Sequence, residues 1–274
     1  MDAIFIPVFS LTAMGVICAA ILSISSKLMF VKIDERLAQL TECLPGVNCG
    51  SCGYPGCSGY AAAIIKGEAK PNLCLPGGAE ALKKISAIMG VEAGIIEKKT
   101  AIVHCLGDCN AQQKKHDYKG INSCEAAKQL FGGEGACAFG CLGYGDCRIV
   151  CPSHAVCIED GLARINPSLC TGCELCVKAC PNGLIAAESE KISVSVLCKN
   201  IEKGAVTRKK CSHGCIGCGK CVKECPDGAI VLENNLACID QSKCFGCGHC
   251  VEVCITKCIK PASWKAGKKP AGPS

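Results

Sequence analysis

Thirty of the 274 residues are cysteines, and twenty of them fall into five spaced groups of four. One run reads Cys170-x2-Cys173-x2-Cys176-x3-Cys180-Pro181, a second Cys215-x2-Cys218-x2-Cys221-x3-Cys225-Pro226, and a third Cys244-x2-Cys247-x2-Cys250-x3-Cys254 without the proline. A fourth is stretched, Cys137-x3-Cys141-x5-Cys147-x3-Cys151-Pro152. Three thiolates within seven residues can wrap one four-iron, four-sulfide cube, while the fourth reaches the neighbouring cube. A fifth group, Cys49-x2-Cys52-x4-Cys57-x16-Cys74, sits among glycines that let the backbone turn tightly round a cluster and aim amides at its sulfurs. The chemistry these spacings point to is one-electron transfer.

Competing uses of cysteine fit less well. A disulfide scaffold scatters its cysteines and does not repeat C-x2-C-x2-C-x3-C-P. Zinc sites favour two C-x2-4-C pairs separated by a loop, often with histidine. Here the cysteines come as triplets plus one, and the five histidines lie mostly outside the pattern. The formal charge of +6 leaves out the cofactors. An oxidised four-thiolate cube carries roughly −2, so five of them would bring the loaded chain to about −4. Basic residues cluster at Lys83-Lys84, Lys98-Lys99, Lys114-Lys115 and Arg208-Lys209-Lys210. They suit either a solvated face or a docking face for an acidic partner such as a soluble ferredoxin. Without interleaved aromatics they do not suggest nucleic acid. No G-x-G-x-x-G or G-x-x-x-x-G-K-[ST] occurs, and Gly132-Gly133-Glu134-Gly135 lacks the Lys and Ser/Thr of a phosphate loop. No residue is expected to be catalytic. Electrons are carried here, and two-electron chemistry on NAD or flavin falls to a partner.

The elements that must position these cysteines follow from the pattern. Ala3 to Ser26 carries no charge over 24 residues, long enough to cross a bilayer. Its n-region is acidic, and Lys27 and Lys32 follow it, so the expectation is an uncleaved single-pass anchor in the cell membrane with the cysteine-rich part in the cytoplasm. Helical spacing appears at 61–65 and 79–89. The 19-residue intervals from Cys151 to Cys170 and from Cys225 to Cys244 each hold a hairpin signal, Asp160-Gly161 and Asn234-Asn235 between alternating runs. The four motifs therefore pair first with second and third with fourth. The expected fold is α+β: anchor at 1–30, a small helical 4Fe-4S domain at 31–100, a connecting segment at 101–131, two tandem 2[4Fe-4S] ferredoxin domains at 132–195 and 196–262, and a disordered tail at 263–274.

Swapped ligation then assigns five clusters. Cys49, Cys52, Cys57 and Cys74 hold the first. Cys137, Cys141, Cys147 and Cys180 hold another, beside Cys170, Cys173, Cys176 and Cys151. Cys215, Cys218, Cys221 and Cys254 lie beside Cys244, Cys247, Cys250 and Cys225. Cys211 could replace Cys215, and Cys258 could compete with Cys254. Cys105, Cys109 and Cys124 are either structural thiols or ligands of a sixth cluster. Cys157 and Cys238, on the two hairpins, are expected to fill the core.

The runs 48–57, Asn-Cys-Gly-Ser-Cys-Gly-Tyr-Pro-Gly-Cys, and 140–147, Gly-Cys-Leu-Gly-Tyr-Gly-Asp-Cys, together with the anchor and the C-terminal motifs, resemble the B subunit of the Rnf complex, the RnfB/RsxB family. The resemblance covers nearly the whole chain and matches the longer, two-ferredoxin-domain version of strict anaerobes. It implies a membrane complex of flavin- and NAD-binding subunits that passes electrons from reduced ferredoxin to NAD⁺ while moving Na⁺ or H⁺, with this subunit receiving the ferredoxin electrons. Other destinations open to such a relay are a redox sensor or nitrogenase. A cluster-assembly scaffold is a third reading, disfavoured by the regular motifs.

Overall fold

A helix of 27 residues, α1 (Asp2–Leu28), leads the chain. The computed structural model describes residues 2–28, 34–92, 94, 99–189 and 192–261, with the side chains of residues 2–7, 10 and 28 also outside the description. Lys32, Lys98 and the expected disordered tail lie outside the described residues. From Val8 onward α1 turns large apolar side chains outward, Phe9 and Leu11 each 76% exposed and Leu22 70%. Among the described residues no helix is long and apolar enough to cross a membrane.

Three short helices follow. Asp34 caps α2 (Glu35–Cys43) by accepting the Arg36 backbone N–H at 3.0 Å. α3 is Gly56–Ile65, and α4 (Gly78–Met89) stops at Gly90, whose left-handed φ of 66° closes the last turn. Leu40, Tyr60, Ile64 and Ile85 pack between them, with Cys74 at the edge.

The rest is two similar units. The first holds β1 (Lys99–Val103), α5 (Cys124–Gln129), α6 (Asp146–Ile149), β2 (Val156–Glu159), β3 (Leu162–Ile165), α7 (Leu175–Ala179) and β4 (Ile185–Ser189). The second holds β5 (Val194–Val196), α8 (Gly204–Lys210), α9 (Lys220–Lys223), β6 (Ile230–Glu233), β7 (Leu236–Ile239), α10 (His249–Val253) and β8 (Ile259–Pro261). The hairpins read from sequence form as β2–β3 and β6–β7, both antiparallel. Asp160 (φ 50°) and Gly161 (φ 72°), like Asn234 (φ 48°) and Asn235 (φ 64°), have the paired left-handed residues of a type I′ turn.

A leading strand closes each unit against its last strand: β1 on β4, Val103 opposite Ile185, and β5 on β8, Val196 opposite Ile259. The match continues beyond the strands, with His104 N–H donating to Leu184 O at 2.7 Å and Leu197 N–H to Cys258 O at 2.8 Å. Cys105 and Cys198 therefore occupy equivalent places, each just past its leading strand. Three apolar cores result among the described residues, one per helical or ferredoxin unit. Cys157 and Cys238 do not fill them: both are half-buried on the hairpins' outer sides, while Val156, Ala163, Ile230 and Ala237 point inward.

Candidate iron–sulfur sites

The first site is built by the loop ahead of α3. Asn48, itself left-handed at φ 51°, accepts the Cys57 backbone N–H on Oδ1 at 2.8 Å and folds the loop back on itself. A Cβ on Gly56 would stand 2.8 Å from that Oδ1, so the position is confined to glycine. Tyr60 accepts the Leu73 N–H at 3.1 Å and donates to Lys70 O at 2.7 Å, which carries the following stretch of chain back until Cys74 joins. Cys49, Cys52, Cys57 and Cys74 line one cavity of about 20 Å³.

In the first ferredoxin unit Cys151, Cys170, Cys173 and Cys176 surround a cavity of about 10 Å³. This is the swapped set read from the spacing. The neighbouring set differs from that reading. Its cavity, about 20 Å³, is lined by Cys141, Cys147, Cys180 and Cys124, without Cys137. The reason is visible against the second unit: Cys141-x2-Tyr144-x2-Cys147 aligns with Cys215-x2-Cys218-x2-Cys221, so a tyrosine stands where the middle cysteine belongs. Cys124, the first residue of α5, fills the gap. Asp146 holds it there, accepting the Cys124 N–H at 3.0 Å, the Glu125 N–H at 3.1 Å and the Ser123 hydroxyl at 2.9 Å. Burial pushes the Asp146 carboxyl up, but these three donors outweigh it and keep the group below its ordinary range.

Cys137 belongs to a cavity between the two units. About 20 Å³ in volume, it is lined by Cys105, Cys137, Cys198 and Cys211. Its ligand candidates come in equivalent pairs, Cys105 with Cys198 after the leading strands, and Cys137 with Cys211, each four residues before a motif's first cysteine. Cys211 thus lines this site, and Cys215 keeps its own. Amide donors converge here: Gly107 N–H on Cys105 Sγ at 3.3 Å, Asn200 N–H on Cys198 Sγ at 3.4 Å and Asn200 Nδ2 on Cys137 Sγ at 3.4 Å. Cys109 is exposed and lines none of these cavities. The signal that could have found this site is the repeat Val103-His104-Cys105 and Val196-Leu197-Cys198, too short and too variable to stand out alone.

In the second unit Cys215, Cys218, Cys221 and Cys254 line about 20 Å³, with Cys258 alongside. Cys225, Cys244 and Cys247 gather round Cys250, whose thiol burial and then their charges push up to about 11. Burial and then mutual repulsion likewise push Cys147 and Cys176 to about 12 and Cys221 to about 11; burial dominates at Cys105, also about 12. Such thiols hold their protons unless a positive core replaces them, which suits metal loading. The described residues include no three His, Cys, Asp or Glu side chains converging on a single ion. Thiols set around cavities fit a four-iron core better than one zinc, whose Zn–S bonds are about 2.3 Å.

The six thiol groups follow one another in series, the last two brought together where α9, carrying Cys221, packs on α10, carrying Cys250. Ser51, between Cys49 and Cys52, donates to Cys173 O at 2.7 Å, joining the first site to the Cys170 set. Cys176 lies near enough to Cys147 to raise its thiol. A Cys141 backbone amide faces Cys105, and Cys215 N–H donates to Cys198 Sγ at 3.3 Å.

Such a chain is an electron-transfer protein of the bacterial 4Fe-4S ferredoxin type. Residues 44–76 match the family model described as "Putative Fe-S cluster", and residues 169–230 and 214–258 each match "4Fe-4S dicluster domain". The 169–230 match straddles the two units, because the repeated spacing lets a two-cluster pattern slide by one motif; the strand pairing divides the chain differently. The chain is 43% identical over 260 residues to the B subunit of the Na⁺-translocating ferredoxin:NAD⁺ oxidoreductase complex of Acetobacterium woodii, covering 94% of this chain and 78% of the relative. The B subunit of the proton-translocating ferredoxin:NAD⁺ oxidoreductase complex of Clostridium ljungdahlii is 39% identical, with 94% and 91% covered. The B subunit of an ion-translocating oxidoreductase complex of Methanosarcina acetivorans is 39% identical, with 91% and 95% covered. The chain belongs to this family of B subunits of ion-translocating ferredoxin:NAD⁺ oxidoreductases.

Proposed function

We propose that this chain is the electron-relay subunit of a membrane complex that oxidises reduced ferredoxin, reduces NAD⁺ on another subunit and moves Na⁺ or H⁺. The observation that carries this is the series of six four-thiol groups, running from the site packed beside α2 to the Cys244 set. In this reading Cys49/52/57/74, Cys151/170/173/176, Cys124/141/147/180, Cys105/137/198/211, Cys215/218/221/254 and Cys225/244/247/250 each hold one [4Fe-4S] cluster, which supplies one-electron redox chemistry when bound. The residues fit: each set offers four thiols, and five line a cavity. The chain's own contribution is to hold these sulfurs in order, shield most of them from water and aim amides at them.

The far end is the proposed ferredoxin contact. Cys247 is exposed, Phe245 is 64% exposed beside it, and Lys220 and Lys223 on α9 are exposed too. The basic pairs nearer the middle are less available, since Lys114 meets Glu134 at 3.2 Å and Lys210 meets Glu202 at 2.5 Å. We also propose residues 3–26 as a single-pass anchor with the clusters on the cytoplasmic side, on the strength of the uncharged stretch over the full sequence and Lys27 after it, although the described part of α1 alone falls short of a span. We propose domain limits that differ from those expected from sequence: the first ferredoxin unit begins at β1 rather than at 132, taking in the connecting segment and its Cys105 and Cys124, and the second begins at β5.

Cys52→Ala tests the direction of relay. In the purified complex it should abolish ferredoxin-driven NAD⁺ reduction while leaving the C-terminal clusters reducible by ferredoxin, as followed by EPR. NAD⁺ reduction at the wild-type rate would refute the order.

A further inference from the structure

The four ferredoxin motifs place one residue at the same point, four positions beyond the closing cysteine: Ala155, Leu184, Ala229 and Cys258. All four are buried, between 1% and 2% exposed. The backbone plays the same part at two of them, Ala155 N–H donating to Cys151 Sγ at 3.3 Å and Leu184 N–H to Cys180 Sγ at 3.4 Å. Only Cys258 adds a polar hydrogen. Its Sγ lies 3.6 Å from Cys254 Sγ, and it lines the same cavity as Cys215, Cys218, Cys221 and Cys254. Those four already complete a cluster's ligands, so Cys258 is a fifth thiol at a four-thiol site.

The proton's place follows from the neighbours. A ligand thiol gives up its proton on binding iron, so across the 3.6 Å contact between Cys254 Sγ and Cys258 Sγ only Cys258 keeps a hydrogen to donate. Ile259 and Val196 belong to the same apolar core, and Thr256 lines the same cavity.

We propose that the Cys258 thiol is a positioning residue that donates an S–H hydrogen bond to the ligand sulfur Cys254 and thereby raises the reduction potential of the cluster that Cys215, Cys218, Cys221 and Cys254 hold. This rests on that site being loaded. A donor to a ligand sulfur stabilises the more negative, reduced state, so the potential rises with each one. The effect would fall on the site next to the inter-unit thiols, through the Cys215 amide on Cys198. It would make that cluster a preferred resting place for an electron within the second unit.

The test is an EPR-monitored reductive titration of the full chain, with iron content, on wild type, Cys258→Ala and Cys258→Ser. Alanine already occupies the equivalent positions 155 and 229, so the fold should accept it. The expected result is unchanged iron and one cluster shifted to lower potential in the alanine variant. The serine variant, which keeps a donor, should lie between, and an exchangeable-proton coupling present in wild type should vanish with alanine. An unchanged midpoint at full iron would overturn the proposal. So would loss of four irons, which would make Cys258 a ligand. Cys218→Ala run alongside separates the underlying reading: if it removes no cluster signal, the site is empty and the occupancy reading falls instead.

Discussion

Tyr144 is a single residue that reassigns two cysteines. Where a motif's middle thiol is missing, the site must recruit another, and Cys124 arrives from α5 under the control of Asp146. That releases Cys137 to the inter-unit cavity. Spacing alone favoured Cys137, because it stands four residues from Cys141 while Cys124 is seventeen away. The regular motifs were legible because their ligands are local; Cys124, Cys105 and Cys198 were not, because long loops and strand pairing bring them in. Cys124→Ala should therefore cost about one cluster, some four irons per chain by analysis, although it lies in no ferredoxin motif. Full iron content in that variant would return Cys137 to its expected place. Asp146→Ala should weaken the same cluster through α5's lost N-terminal partner, by about 1 kcal/mol. It would show as faster loss of that cluster's signal to a chelator, with the other signals retained.

At the scale of elements, the cluster loops are held against the hairpins. A Cβ on Gly217 would stand 2.7 Å from Asn235 O, and one on Gly143 2.6 Å from Gly161 O. Each loop glycine thus sits on the tip of its own unit's type I′ turn, at a left-handed φ of 62° and 79° respectively. The hairpins were readable from Asp160-Gly161 and Asn234-Asn235, since that turn demands two left-handed residues. In the 4Fe-4S domain α4 and the end of α3 were readable from apolar spacing, while α2, nine residues long, was not. The leading strands β1 and β5 were not, being five and three residues long and paired only with distant partners. Gly217→Ala should cost more than the roughly 1–2 kcal/mol of left-handed strain, because the carbonyl cannot retreat without moving the turn. Loss of the Cys215 cluster with the Cys49 cluster intact, by EPR, is the expected pattern. Equal loss at both sites, or at neither, would contradict the local account.

For the whole molecule, cysteines and the groups they would bind form much of the interior. Four of the twelve buried residues in the first ferredoxin core are cysteines, and aromatics make up only 4% of the chain. Cores this small supply little stability of their own, so cluster removal by anaerobic chelation should unfold both ferredoxin units, seen as loss of far-UV circular dichroism. Retained ellipticity would mean the fold stands without its cofactors. In the proposed relay, the inter-unit thiols Cys105, Cys137, Cys198 and Cys211, which line one cavity, join the two ferredoxin units. The most direct measurement is anaerobic native mass spectrometry of the full chain. Six Fe₄S₄ increments are expected in wild type and five in Cys198→Ala. Five in wild type, unchanged by Cys198→Ala, would mean that the cavity between the units holds no cluster and that the series of sites is broken at its centre.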